Sequence, residues 1–102
     1  MQNNLIIGRV VKDLELRTIK TEKGDYSVVT VTIAEGKGDD TVFLPIEVWG
    51  NMAENASKYL KKGQQVAYKY KISPNNYKDK DDKMHYDWKF TAIEQEFLGS
   101  KQ

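Results

Sequence analysis

Two large aromatic side chains, Phe43 and Trp49, lie on the same side of a strand-like stretch, residues 41–50 (TVFLPIEVWG). Residue types alternate there with period two, which predicts a β-strand. The aliphatic side, expected to face the core, comprises Val42, Leu44, Ile46 and Val48. The outward side comprises Phe43, Pro45, Glu47 and Trp49. Outward aromatic rings can stack nucleobases. The alternative is that another segment or a second subunit covers them.

Basic residues supply a second element of nucleic-acid chemistry. The net charge is only +1, but residues 58–83 contain eight Lys and three Asp and so carry a charge of +5. Lysine and arginine side chains contact phosphates and release counterions. A plain solvated surface would have the same composition, so both interpretations stay open. The candidate phosphate contacts are Arg9, Lys12, Arg17, Lys69, Lys71, Lys78 and Lys80.

Three further aromatic positions bear on the site. Tyr77 lies in a polar loop and is a candidate for stacking. Tyr26 occupies an outward position in the alternation of its predicted strand, so its side chain is a further candidate. Trp88 alternates with Tyr86 and Phe90, and we expect these three side chains to pack in the core.

Several kinds of chemistry are disfavoured. The chain has no Cys and one His, His85, so it lacks cysteine and histidine clusters for a metal and any recognisable nucleophile motif. The acidic run 79–82 lacks the glycine and terminal glutamate of a calcium loop. We therefore expect no enzyme, no cofactor and no metal site. No apolar run could span a membrane and the start does not resemble a signal peptide, which predicts a cytoplasmic protein with no membrane partner.

The hydrophobic pattern predicts a mainly β domain. We expect a first strand over 4–11 that continues through 13–21, and strands at 26–34, 41–50, 64–72 and 85–93, with 94–98 closing the sheet. We also expect a helix over 51–60, with Ala53, Ala56 and Leu60 on its apolar face and Tyr59 beside them. This is the element order of the OB-fold, a five-stranded Greek-key barrel with one short helix between strands 3 and 4. An unrelated α+β sandwich has the same order. We expect one domain over 1–99 and a short polar end, 100–102, without an acidic tail.

The ordered set of motifs resembles the bacterial and phage-type single-stranded-DNA-binding proteins. The matching stretches are residues 4–17 (NLIIGRVVKDLELR), 31–34 (VTIA), 48–54 (VWGNMAE) and 59–66 (YLKKGQQV). The resemblance implies an OB-fold that stacks bases on Phe43, Trp49 and Tyr77, and it favours Arg17 among the basic residues. The chain departs from the family pattern at Pro45, Glu47 and Tyr70, and a fourth aromatic, usual before the central strand, has no counterpart in 35–40.

The resemblance implies sequence-independent binding and protection of single-stranded DNA in replication, recombination, repair or DNA transfer, in a phage or mobile element. It also implies a homo-oligomer, a tetramer or a dimer, that pairs through the first strand, although the sequence equally suits a monomer. Partners recruited through an acidic tail are in doubt. Two alternative functions stay open: an OB-fold module for protein interaction or assembly, and single-stranded RNA binding.

Overall fold

The computed structural model describes residues 1–99. Eight strands and one α-helix follow one another along the chain: β1 (Asn4–Val10), β2 (Arg17–Thr21), β3 (Gly24–Glu35), β4 (Val42–Trp49), α1 (Asn51–Tyr59), β5 (Gln65–Pro74), β6 (Tyr77–Lys78), β7 (Met84–His85) and β8 (Trp88–Leu98). A short 3₁₀ turn, Gly38–Asp40, precedes β4. The predicted end 100–102 lies outside the described residues.

Five strands close into a ring in the order β1-β5-β8-β4-β3-β1, and β2 extends from β3 outside it. All ring pairings are antiparallel except β4 with β8, which meet at Glu47 and Thr91. Helix α1 connects β4 to β5, the third and fourth strands of the ring. This is the predicted OB-fold architecture, a small Greek-key barrel, and that prediction is confirmed.

The core is formed by the inward-facing side chains of the ring. Val29, Val31 and Ile33 of β3 are fully buried, as their alternation predicts. Ile46 and Val48 of β4 meet them across the register, whereas Val42 lies at the strand end and is exposed. The expectation that Val42 faces the core was therefore wrong, because the barrel interior does not reach that end of β4.

The largest fully buried side chain is Tyr68 of β5. Its hydroxyl donates to Gln95 Oε1, and Gln95 Nε2 donates to the carbonyl of Met52, 3.1 Å away, so the pair joins the barrel to α1. Burial raises the pKa of Tyr68 well above its usual range, because the phenolate would lose its hydration. The tyrosine therefore stays neutral and keeps donating its hydrogen bond.

Two strands differ from the sequence prediction. Residues 11–16 are a loop between β1 and β2, so the predicted strand over 13–21 begins only at Arg17. The predicted strand over 85–93 is divided: His85 ends a small separate hairpin, and β8 begins at Trp88. Tyr59, expected beside the apolar face of α1, is exposed and lies near Phe97 at the edge of the core, with ring centroids 6.3 Å apart.

Within residues 1–99, no helix is both long and apolar enough to traverse a bilayer.

Candidate nucleic-acid interface

The outer face of β3 and β4 carries the predicted stacking aromatics. Phe43 is 63% exposed and pairs in register with Ala34, a small residue that leaves the ring uncovered. Trp49, at the other end of β4, pairs with Val28 and is partly buried. Between them, Thr32 lies opposite Pro45 and Thr30 opposite Glu47. We call this outer surface, from Phe43 to Trp49 with its β3 partners, the platform.

A hydrogen bond fixes the tryptophan of the platform. Trp49 Nε1 donates to Glu47 Oε1, 3.2 Å away. The carboxylate therefore orients the indole ring, in addition to placing a negative charge on the platform. A negative charge disfavours a phosphate at this point, so a bound backbone would run along the margins of the platform while its bases lie over the rings.

One margin of the platform carries two basic residues. Lys12, in the β1–β2 loop, and Arg17, at the start of β2, line a cleft of about 320 Å³ whose floor includes Thr30 and Thr32. Asp13 and Glu15 line the same cleft, so its two positive and two negative charges balance. Lys12 and Arg17 are thus two predicted phosphate contacts that the fold places beside the stacking face.

The opposite margin contains an aromatic residue that the sequence prediction placed in the core. Trp88 is 61% exposed and lines a cleft of about 170 Å³ together with Thr30, Pro45 and Glu47. Along β8, burial decreases from Ala92 through Phe90 to Trp88, so the core ends before the strand does. Tyr86 precedes β8 and is also exposed, and of the three only Phe90 packs against the core. The expectation that all three side chains pack inside was therefore wrong for Trp88 and Tyr86.

Tyr77 lies on the β6–β7 hairpin, where its ring stacks on His85 with centroids 4.9 Å apart and planes inclined by 10°. His85 Nε2 lies 2.7 Å from Asp79 Oδ2, and the amides of Asp81 and Lys83 donate to the other oxygen of that carboxylate. The hydrogen bond with His85, and then the backbone donors, lower the pKa of Asp79. Tyr77 is half exposed, so one ring face is held by His85 and the other faces solvent.

The fold separates the remaining lysines on β5. Lys71 pairs with Thr91 of β8, and Thr91 pairs with Glu47 of the platform. Lys71 is therefore two strands away from Glu47, in the same row of cross-strand neighbours. Lys69 instead lies beside Leu5, Glu94 and Glu96 on another part of the barrel. The β5–β8 register also shifts between Lys69 and Tyr70, where β8 has the extra residue, Ile93.

Of the other predicted residues, Arg9 pairs with Ala34, the β3 partner of Phe43, and so lies beside the Phe43 end of the platform, whereas the rest lie farther from it or are partly neutralised. Arg9 donates to the carbonyl of Gly63, 3.1 Å away, near the turn after α1. Lys78 is 3.7 Å from Asp82, and Lys80 lies at the hairpin tip among aspartates. Tyr26 is exposed on β3 and pairs with Ile19 of β2, beyond the Trp49 end of the platform.

A Greek-key barrel with outward aromatics on a central strand and basic residues beside them defines an OB-fold domain of the nucleic-acid-binding class. The chain belongs to the single-strand binding protein family, whose model matches residues 1–98. This confirms the family that the ordered sequence motifs predicted.

Curated relatives match over nearly the full chain. The chain is 29% identical to single-stranded DNA-binding protein 1 of Clostridium acetobutylicum, covering 100% of this chain and 97% of that protein. It is 32% identical to the single-stranded DNA-binding protein of Clostridium tetani, covering 100% of this chain and 74% of that protein. It is 29% identical to the single-stranded DNA-binding protein of Staphylococcus aureus, covering 99% of this chain and 67% of that protein.

Proposed function

We propose that this chain binds single-stranded DNA with broad tolerance of sequence. The observation that carries the proposal is the uncovered Phe43 ring on the central strand, in line with Trp49 and flanked by Lys12 and Arg17. Every base has a π face, so stacking on these rings accepts any base and contributes about 1–3 kcal/mol per base. The names of the bacterial relatives agree with this ligand.

The biological role we infer is to hold displaced strands open and protected in replication, recombination, repair or DNA transfer, in the cytoplasm. Such a role requires binding alone and no chemical step. Tyr77 extends the stacking surface from the hairpin, and Lys71 provides a phosphate contact from β5. A protein that protects single strands of any sequence needs a binding mode that accepts every base, and stacking on exposed aromatic rings is such a mode.

Titration with oligo-dT tests the proposal. Tryptophan emission should fall as oligo-dT is added, because bases stack on the indole rings. The logarithm of the binding constant should fall linearly with the logarithm of salt concentration, by about 0.7 for each phosphate contact on a single strand. Duplex DNA of the same length, in which the bases are already stacked, is the control and should quench less.

The absence of quenching and of binding at low salt would contradict this function. Equal or tighter binding of a matched RNA oligomer in competition would instead favour the RNA-binding alternative.

We also propose that the chain forms a homo-oligomer through β1. Residues 4–9 of β1 pair with β5, and only Arg9 and Val10 pair with β3, so much of the other edge of β1 is free of ring partners. Its outward side chains Leu5 and Ile7 are 67% and 45% exposed. A second copy of β1 would bury these apolar side chains and form hydrogen bonds with the unpaired backbone N–H and C=O groups of the open edge.

Replacing Leu5 by Gln should shift the protein toward the monomer mass in sedimentation or native mass spectrometry, because a polar side chain weakens burial at the centre of the contact. Leu16→Gln is the control, since Leu16 is also an exposed leucine, at 46%, but lies in the β1–β2 loop. A wild-type protein that is monomeric at high concentration would rule out this oligomer.

A further inference from the structure

The cleft between the platform and the start of β8 combines an aromatic wall with polar groups. Trp88 and Pro45 line it, and Thr30, Glu47 and Asn75 supply a hydroxyl, a carboxylate and an amide. A flat apolar wall beside a few polar groups is the composition of a site that binds a planar heterocycle and distinguishes its edge.

The aromatic wall is accessible and held by the backbone. Trp88 pairs with Pro74 of β5, and its amide donates to Asp87 Oδ1, 2.7 Å away. The amide of Asn75 donates to the carbonyl of Asp87, 2.9 Å away, which fastens the β5 end to the segment before Trp88. The indole therefore projects from a fixed backbone at the edge of the platform, where a base adjacent to those on Phe43 and Trp49 would reach it.

The carboxylate in the cleft is an acceptor with defined orientation. Glu47 Oε1 receives the hydrogen bond from Trp49, and within residues 1–99 this indole is the side-chain partner of that carboxylate. An ionised carboxylate accepts hydrogen bonds and donates none. At equivalent positions on the pyrimidine ring, cytosine has the N4 amino donor, whereas thymine and uracil have the O4 acceptor. The carboxylate therefore favours a base with an exocyclic amine.

We propose that Trp88 and Glu47 form a base-discriminating subsite, in which a base stacks on Trp88 and donates its exocyclic amine to Glu47. The inference rests on the proposed binding of single-stranded DNA and adds to it a preference at one nucleotide of the footprint. Lys89, which lines the same cleft, supplies a cation for the phosphate of that nucleotide.

Comparison of oligo-dC with oligo-dU of equal length tests the preference, because both are unmethylated pyrimidine strands that differ on this edge in the group at position 4 and in the proton on N3. The measurement is made at mildly alkaline pH, where the cytosine ring stays neutral. The wild-type protein should bind oligo-dC about five- to tenfold more tightly, as expected for one hydrogen bond to a charged acceptor. Trp88→Ala should weaken binding of oligo-dC at least about fivefold through lost stacking.

Glu47→Gln keeps the size of the side chain and an oxygen for the Trp49 indole, but the amide both donates and accepts. This variant should bind oligo-dU more tightly than wild type does, and its preference for oligo-dC should shrink to about twofold or less. Glu94→Gln is the matched control: it removes the same charge beside Lys69, away from the cleft, and should keep the wild-type preference.

Three outcomes overturn the subsite: equal wild-type affinity for the two oligomers, tighter binding of oligo-dU, or an unchanged preference in Glu47→Gln. Failure to bind either oligomer at low salt would overturn the proposed function as well, whereas tight but equal binding would overturn the subsite alone.

Discussion

Replacing both Phe43 and Trp49 by alanine is expected to weaken oligo-dT binding at least thirtyfold. Each ring contributes about 1–3 kcal/mol of stacking, and a loss of about 2 kcal/mol already corresponds to that factor. Binding is followed by fluorescence anisotropy of a labelled oligomer, because the variant lacks one of its two tryptophans. The oligomeric mass is measured on the same samples and should not change.

Two further variants make this result interpretable. Phe43→Ala alone removes an exposed side chain, so it should lower affinity while the folded structure is retained. Tyr59→Ala removes another exposed aromatic, 54% exposed, from the end of α1, outside the platform, and should leave affinity unchanged. If the double variant instead loses its oligomeric mass and keeps DNA binding, the platform is an assembly surface.

The second large effect concerns the closure of the barrel. A Cβ atom at Gly8 would lie 2.4 Å from the carbonyl oxygen of Ala34 and 3.1 Å from its carbon. Both are backbone atoms, so β1 and β3 must separate where they pair. Gly8→Ala should therefore lower the free energy of unfolding by about 2–3 kcal/mol, the usual cost of an overpacked core. Chemical denaturation monitored by circular dichroism gives this value.

Gly38→Ala is the comparison variant for Gly8. Its Cβ would meet nothing within 4 Å, but φ is +57°, in the left-handed region. It should cost about 1–2 kcal/mol from backbone strain alone. A Gly8→Ala protein as stable as wild type would show that the two strands do not approach as closely as described.

The central strands were predicted correctly because only one side of each strand is buried, so apolar core residues alternate with outward residues along the sequence. Val31 and Ile46 are paired and both face the core, as their positions in the alternation predict. Phe43 occupies an outward position in the same alternation and is exposed. The family resemblance predicted which outward rings would stack bases. Alternation alone does not distinguish a stacking face from an interface covered by another chain.

The exposure of Trp88 could not be predicted, because the alternation of side chains indicates which side of a strand a residue faces but not how far along the strand the core extends. The hairpin pairs Tyr77 with His85 in a sheet of its own, so the alternation from His85 onward does not belong to one strand. A bulge likewise interrupts the β5–β8 register between Lys69 and Tyr70, and the spacing of residues along one strand does not predict it. Glu47 and Trp88, 41 positions apart in the chain, line the same cleft, which no local pattern in the sequence indicates.

The position of β8 in the ring has a consequence during synthesis. This strand lies between β4 and β5, and its last pairing joins Leu98 to Gln65. On a ribosome, β3 and β4 emerge long before β8, yet the ring cannot close until residue 98 has left the exit tunnel. Barrels built from such distant pairings fold in milliseconds to seconds, after the last strand arrives. The cleft between Glu47 and Trp88 therefore forms only after β8 has been synthesised.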